Sequence, residues 1–134
     1  MKEVVIVAGA RTPIGKMGGM IKDVSATELG AIAIREALNR ANVNPDWVDE
    51  VVVGNVGQVA ENAFIARLCA LNAGLPKSST ALAVNRLCGS GLQAINTAAL
   101  TIKTGEADIV VAAGTENMDL IPYYVRKGRY GYRF

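Results

Sequence analysis

"VNRLCGSGLQA", residues 84–94, places a single cysteine between the end of a β-favouring run and two glycines that open an apolar helical pattern. Ser90 and Gln93 have the spacing of a helix capping box, which predicts a helix that starts one or two residues after Cys88. In sheets of parallel strands, ligands bind beyond the carboxyl ends of the strands, where the chain turns into the next helix. The stretch therefore predicts a strand, a sharp turn and a helix, with Cys88 at the helix start.

The same alternation of strand and helix continues on both sides of this turn. Short β-branched runs bounded by turn residues predict strands, and apolar residues that recur every three or four positions predict helices. The predicted strands are "EVVIVAG" (3–9), "EVVVGNV" (50–56), "TALAVN" (80–85) and "DIVVAAG" (108–114). The predicted helices cover 26–41, the stretch "AENAFIARLCALNAGLP" (60–76) up to a stop at Gly74 and Pro76, and a stretch that starts one or two residues after Cys88 and ends at "TGEAD" (104–108). The run at 3–9 is apolar throughout, which predicts a central position in the sheet. The fold class is α/β, a layered α-β-α arrangement with a mostly parallel sheet.

Composition limits the class of protein. The chain has 134 residues, 51% of them hydrophobic, and a net charge of +2, so one compact core is feasible and no strongly basic surface favours nucleic acid. No apolar run approaches the roughly 18 residues of a membrane helix, and "VVIVAGA" (4–10) does not have the features of a leader peptide. The two cysteines are not spaced like a disulfide framework or a zinc site. These features predict a cytoplasmic protein with no metal ion and no nucleic-acid or membrane partner.

Cys88 has two interpretations. The glycines at 89 and 91 leave room for a reacting carbonyl beside the sulfur, and the backbone N–H of Cys88 is a candidate donor to an oxyanion. The chain contains no histidine, however, and a helix terminus stabilises an adjacent anion by only about 0.3 to 1 kcal/mol. Cys88 is therefore either a nucleophile whose activating base lies elsewhere or a small residue packed into a crowded turn. Cys69, on an apolar helical face, is predicted to be a packing residue.

Two further stretches allow other functions. The glycines of "VAGARTPIGKMGG" (7–19) could cradle a phosphate, but their spacing is not G-x-G-x-x-G and Pro13 interrupts the loop, which favours a structural loop. "YYVRKGRYGYRF" (123–134) mixes aromatic and basic residues as single-strand nucleic-acid binders do. It is too short to be a domain, which leaves a solvated or partner-contacting tail as its simpler interpretation.

Four ordered segments resemble one family. "NRLCGSGLQAI" (85–95) resembles the active-cysteine motif of thiolases, the acetyl-CoA C-acetyltransferases. The stretch at 7–19 resembles their opening strand and loop, "DVSATELGAIAIREALNRA" (23–41) their first helix, and "AAGTENMDLIPYYVRKGRYGYRF" (112–134) their segment with Glu-Asn-Met and Pro-Tyr. β-Ketoacyl synthases and hydroxymethylglutaryl-CoA synthases are similar in fold, but the surrounding motifs favour thiolases. One departure is "GQVAENAFIAR" (57–67), where many thiolases have a Gly-Gln-Asn-Pro-Ala-Arg type of sequence.

The resemblance implies a two-step Claisen chemistry on acetyl-CoA or acyl-CoA, without a further cofactor. Cys88 is then the nucleophile that forms an acyl thioester, and a second acetyl-CoA attacks this thioester to give a 3-ketoacyl-CoA; the reverse reaction is thiolysis. In thiolases the activating histidine, a second catalytic cysteine and most of the coenzyme A pocket lie in later parts of a longer chain. The resemblance therefore implies that this chain is inactive alone.

The resemblance also implies an organisation. Residues 1–116 form the amino-terminal thiolase-like domain, and 117–134 begin the loop domain or an oligomerisation segment. The last strand of the sheet is expected to lie beyond residue 134, so an edge near 108–114 is expected to be unpaired or covered by something else. Residues 80–85 are expected to pair across the two-fold axis of a homo-oligomer. The chain is interpreted as a truncated product or as one subunit of a split enzyme with a complementing C-terminal half; the alternative is a non-catalytic interaction module.

Overall fold

The structure is a computed structural model that describes residues 2–132. Helices and parallel strands alternate along the chain, as the hydrophobic pattern predicts. The elements are α1 (Ala26–Ala41), β1 (Glu50–Gly54), α2 (Ile65–Asn72), β2 (Thr80–Val84), α3 (Ser90–Thr104) and β3 (Val110–Gly114). Short 3-10 turns cover Pro45–Trp47, Ala60–Phe64, Met118–Leu120 and Gly128–Tyr130.

The sheet has β1 in its centre, with β2 and β3 parallel to it on either side. The three valines at 51–53 are fully buried, as expected for a strand covered on both faces. α1 and α2 pack on one face, and α3 packs on the other, where Ala94 and Ala98 contact Val52. The predicted α-β-α layering with a parallel sheet is therefore confirmed.

The ends of α1 and α3 follow from local sequence. Ser25 caps α1 because its hydroxyl accepts a hydrogen bond from the N–H of Glu28 at 3.1 Å. Asn42 ends the same helix in a left-handed conformation with φ of 51°, and Gly105 ends α3 with φ of 84°. These bounds match the predicted helix at 26–41 and the predicted stop at "TGEAD".

The second helix is shorter in the structure than the stretch at 60–76 from which it is predicted. Residues 60–64 wind as a 3-10 turn, and only from Ile65 does the chain form α2. Gly74, with φ of 89°, follows the helix end as predicted.

The prediction of a central strand at 3–9 is wrong. The segment forms no strand, and its side chains at Val5, Ile6 and Val7 are 67%, 81% and 72% exposed. An extended segment becomes a strand only when a neighbour pairs with its backbone N–H and C=O groups, and none of the three strands pairs with this segment. The centre of the sheet is occupied by β1 instead. The segment is attached instead through an ion pair of Lys2 with Asp108 and a hydrogen bond from Arg40 to the Gly9 carbonyl.

Within the described part of the chain, both outer strands have a free edge. Among residues 2–132 no strand pairs with the outer side of β3, which confirms the unpaired edge predicted near 108–114. β2 forms the opposite edge of the sheet, and its central residue Leu82 is 42% exposed.

The segment that follows β3 has little regular structure. Asn117 is buried and anchors its start by donating to the carbonyls of Ile21, Lys22 and Val24. Residues 122–132 are exposed and contain only the last 3-10 turn. The domain boundary at 116 stays a prediction. None of the helices within 2–132 is both long and apolar enough to cross a lipid bilayer.

Candidate active site

Cys88 lies in the turn between β2 and α3, and its side chain is exposed. Gly89 is the N-cap of α3 and the helix begins at Ser90, two residues after the cysteine. The structure therefore places the sulfur where the sequence predicts it, at the start of a helix beyond the carboxyl end of a strand. Its role as a nucleophile stays a prediction.

The turn holds Leu87, the residue before the cysteine, in a left-handed conformation with φ of 47°. A non-glycine residue adopts this conformation at a cost of about 1–2 kcal/mol, so its neighbours must hold it. Asn85 Oδ1 accepts a hydrogen bond from the Leu87 N–H at 3.0 Å. The Leu87 carbonyl accepts from both the N–H of Ser90 at 3.0 Å and its hydroxyl at 2.6 Å.

The predicted capping box of Ser90 and Gln93 is wrong. Ser90 is the first residue of the helix rather than its cap, and it is 4% exposed. Its hydroxyl accepts from the N–H of Arg86 at 2.9 Å and therefore stabilises the turn before the helix. Gln93 donates to Thr97 one turn further along the helix. Local hydrogen bonds to the preceding turn thus replace the capping box that the spacing predicts.

Glycines at the strand ends bring the start of α3 against the sheet. A Cβ at Gly54, the last residue of β1, would lie 2.4 Å from the carbonyl carbon of Ser90. A Cβ at Gly114, the last residue of β3, would lie 3.4 Å from Gly91 Cα, whereas a Cβ at Gly91 would meet no atom within 4 Å. The turn therefore packs tightly toward the sheet and leaves open space on the Gly91 side. The sequence interpretation did not use Gly54 or Gly114, although both end their strands.

The first turn of α3 leaves a backbone N–H without a protein partner. Among residues 2–132 the N–H of Gly91 donates to no protein acceptor, whereas Cys88 forms an isolated backbone bridge with Arg86. Free N–H groups in the first turn of a helix favour a negative charge nearby. The role of the Cys88 N–H as an oxyanion donor stays a prediction.

A buried polar cluster lies at the same edge of the sheet. Asn55, which follows β1 and is 1% exposed, donates to the Thr115 carbonyl at 2.9 Å and to the Glu116 carboxylate at 3.0 Å. Its own Oδ1 is buried, and among the described residues no group donates to it. Sequence reasoning quoted Glu116 only as part of a motif and did not select Asn55. Their positions in the sequence could have indicated both residues, because Asn55 directly follows one predicted strand and Glu116 lies two residues after another, at the sheet edge where ligands bind.

Cys69 occupies a different environment. It is fully buried in α2, and its Sγ donates weakly to the Thr27 carbonyl at 3.5 Å. Burial, with a smaller contribution from the negative charge of Glu28, raises the pKa of this thiol to about 12. A Cβ at Gly30 would lie 2.6 Å from the sulfur, so α1 and α2 approach closely here. These contacts agree with the predicted packing role.

Comparison with known proteins agrees with this geometry. The family profile described as "Thiolase, N-terminal domain" matches residues 4–134. The chain belongs to the thiolase family.

Within the part of the chain that the structure describes, no group of three or more His, Cys, Asp or Glu side chains could hold a metal ion.

Relatives of this thiolase chain are considerably longer. It is 48% identical over 132 residues to the acetyl-CoA acetyltransferase of Syntrophomonas wolfei and 49% identical over 133 residues to "Beta-ketothiolase BktB" of Cupriavidus necator. These matches cover 98% of the chain and 33% and 34% of the relatives, so the chain spans about a third of their length. A solved Ascaris suum thiolase, "Acat5 thiolase", in complex with coenzyme A, superposes with a TM-score of 0.91 at 35% identity, over 95% of this chain and 33% of that one.

Proposed function

We propose that this chain is the part of a thiolase that carries the nucleophile, and that Cys88 is that nucleophile. The observation that carries the proposal is the exposed thiol in a left-handed turn at the start of α3, in a chain of the thiolase family. The names of the relatives, acetyl-CoA acetyltransferase and beta-ketothiolase, support acetyl-CoA or acyl-CoA as substrates, and the coenzyme A complex of the Ascaris suum protein supports the same class.

In the first step the Cys88 thiolate attacks the carbonyl carbon of an acyl-CoA. A new carbon–sulfur bond forms at Cys88, the bond to the coenzyme A sulfur breaks, and the departing thiolate takes a proton. The Cys88 N–H donates to the oxyanion that develops between these events, in the manner of other oxyanion sites. In the second step a base removes a proton from the methyl group of acetyl-CoA, whose carbon attacks the thioester to give a 3-ketoacyl-CoA and the Cys88 thiolate.

The proton transfers need groups outside the described residues. The chain has no histidine, and the turn itself presents no side chain suited to accept the thiol proton at neutral pH. A C-terminal half, on the same or another chain, supplies the base and the coenzyme A pocket in this proposal. We therefore expect the chain alone to form the acyl thioester slowly and to condense acetyl-CoA at a negligible rate.

Incubation with acetyl-CoA followed by peptide mass spectrometry tests the proposal. An acetyl group is expected on Cys88, and the adduct is expected to persist in a Cys69→Ala variant and to disappear in Cys88→Ala. Acetylation at other residues, or none even when a complementing C-terminal half is present, would favour a non-catalytic module. Rapid condensation of acetyl-CoA by the chain alone would contradict the external base.

A further part of the proposal is a homo-oligomer formed through residues 80–85. The free edge of β2 and the exposure of Leu82 support it, because an uncovered apolar edge strand favours pairing with a second copy. Leu82→Lys is expected to shift the chain toward the monomer in sedimentation experiments. An unchanged oligomeric state would contradict the contact.

Two unpaired cysteines are consistent with the proposed reducing, cytoplasmic setting.

A further inference from the structure

The carboxylate of Glu116 is held by the backbone of the loop after β1. Its Oε1 accepts from the side-chain amide of Asn55 at 3.0 Å and from the N–H of Gly57 at 3.2 Å. Its Oε2 accepts from the N–H of Val56 at 2.8 Å. Hydrogen bonds to an ionised acceptor are stronger and more directional than neutral ones. Glu116 therefore fixes the path of residues 55–57.

The loop is shaped for this contact. A Cβ at position 57 would lie 2.9 Å from Glu116 Oε1, so only a glycine lets the carboxylate approach so closely. Asn55 is buried and also donates to the Thr115 carbonyl, which ties the loop after β1 to the end of β3. The contact therefore joins the chain segments that follow two adjacent strands, β1 and β3.

A continuous path of hydrogen bonds leads from Glu116 to the turn that carries Cys88. The carbonyl of Val56, whose N–H Glu116 binds, accepts from Asn85 Nδ2 at 3.2 Å. Asn85 Oδ1 accepts in turn from the N–H of Leu87 at 3.0 Å. Leu87 is the left-handed residue immediately before the cysteine.

Each step of this path constrains the next. Val56 is bound at its N–H by Glu116 and at its carbonyl by Asn85, so its peptide groups cannot rotate independently. Asn85 is exposed, and the Val56 carbonyl is the group that orients its amide toward Leu87. A left-handed residue persists only where its surroundings over-determine it. Loss of the Glu116 contact is therefore expected to loosen the Leu87 conformation.

We propose that Glu116 is a positioning residue for Cys88. By fixing Val56 it orients Asn85, which holds Leu87 and so sets the direction of the Cys88 thiol and N–H relative to an incoming acyl group. Glu116 does not touch the substrate in this account. The inference rests on the proposed nucleophilic role of Cys88, and the experiment separates failure of the one from failure of the other.

The test compares two reactions of Cys88 in the whole chain, both measured in the same buffer at the same alkaline pH. Acetylation by 4-nitrophenyl acetate develops an oxyanion and depends on orientation, whereas alkylation by iodoacetamide develops none and depends mainly on access. The variant is Glu116→Gln, which keeps the shape of the side chain. One carboxylate oxygen becomes an NH₂ group, which donates hydrogen bonds and therefore cannot accept one from the N–H that it faces. The control is Glu61→Gln at an exposed glutamate.

Glu116→Gln is expected to slow acetylation of Cys88 by about tenfold while alkylation changes by less than about twofold, because misorientation affects the first reaction far more. Cys69 is expected to stay unlabelled, and Glu61→Gln to match the unaltered chain. Three results would overturn the positioning role. Glu116→Gln could be acetylated at the rate of the unaltered chain, it could lose the same factor in both reactions, or Cys69 could become labelled. An unaltered chain that is alkylated but never acetylated at Cys88 would overturn the proposed function itself, and the inference with it.

Discussion

Leu87 connects the fold to the proposed chemistry at the scale of a single residue. Its left-handed backbone turns the chain sharply enough to expose the next residue, Cys88, at the helix start. Three hydrogen bonds from or to Asn85 and Ser90 hold its N–H and carbonyl. Strain of this kind persists at functional sites when neighbouring groups over-determine it. Ser90 is therefore needed, like the position of Cys88 itself, to expose the sulfur at the helix start.

Ser90→Ala tests this role. The substitution removes a buried hydroxyl that accepts from Arg86 and donates to Leu87, so two backbone groups lose a partner. The free energy of unfolding is expected to fall by about 1–3 kcal/mol in urea denaturation. Ser78→Ala, at an exposed serine, is the matched control and is expected to change stability by less than about 0.5 kcal/mol. Equal effects of the two changes would contradict the structural role of Ser90.

Cys69 makes stability depend on pH in the alkaline range. Its pKa is raised from an ordinary value of 9.0 to about 12 in the folded chain, because burial disfavours the thiolate. Between these values the folded state keeps a proton that the unfolded state releases, so the free energy of unfolding falls as pH rises, by up to about 1.4 kcal/mol per pH unit. Below the lower value this contribution is fully present.

Urea denaturation at pH 8 and pH 10 measures this effect. Cys69→Ala removes the thiol, so the variant is expected to lose less stability between the two pH values than the unaltered chain does. The cavity left by the substitution contributes equally at both pH values and cancels in the comparison. Equal losses in the two proteins would show that Cys69 does not hold its proton more tightly in the folded state.

At the scale of elements, the contact between α3 and the ends of β1 and β3 places the candidate site. Glycine at the last position of each strand lets the first turn of the helix approach the backbone of the sheet. The hydrophobic pattern predicts that α3 packs on the sheet, as Ala94 and Ala98 do. It does not predict how closely the helix start approaches, because this depends on the absence of a Cβ in a different element.

Gly54→Ala tests the close approach. The new Cβ would lie within 2.5 Å of the Ser90 carbonyl group, so backbone must move. Unfolding free energy is expected to fall by about 1–3 kcal/mol or more, the usual cost of overpacking. Gly91→Ala is the control, because a Cβ there meets nothing and alanine favours helix. A stable Gly54→Ala chain with an unchanged rate of Cys88 alkylation would contradict the account of the helix start.

Elements with strong local signals were predicted well from sequence. α1 begins after the cap at Ser25 and ends at Ala41, as predicted, because capping and helix breaking act within one turn. The left-handed conformation of Asn42 was not itself predicted. The capping box at Ser90 failed because the hydroxyl has better partners in the preceding turn. The strand at 3–9 failed because the apolar run contains no information about which neighbour would pair with it.

At the scale of the whole molecule, the site joins residues that are distant in sequence. The position of Cys88 at a strand-to-helix turn was predicted from one short stretch, and its role as a nucleophile was implied by the resemblance to thiolases. Asn55 and Glu116, which are 61 positions apart, meet only because β1 and β3 are parallel neighbours in register. Strand order is not encoded in the local pattern, so the polar cluster was not predictable before the sheet was known. The network that orients the thiol is therefore a property of the assembled sheet.

The central claim is that Cys88 is the residue that accepts the acyl group, and a pulse–chase experiment tests it most directly. Radiolabelled acetyl-CoA is added to the chain, the labelled peptide is identified, and unlabelled coenzyme A is then supplied in excess. The account predicts label on Cys88 alone and its return to acetyl-CoA during the chase, since a thioester exchanges with a thiol and a lysine amide does not. Label on another residue, or label on Cys88 that coenzyme A cannot remove, would contradict it.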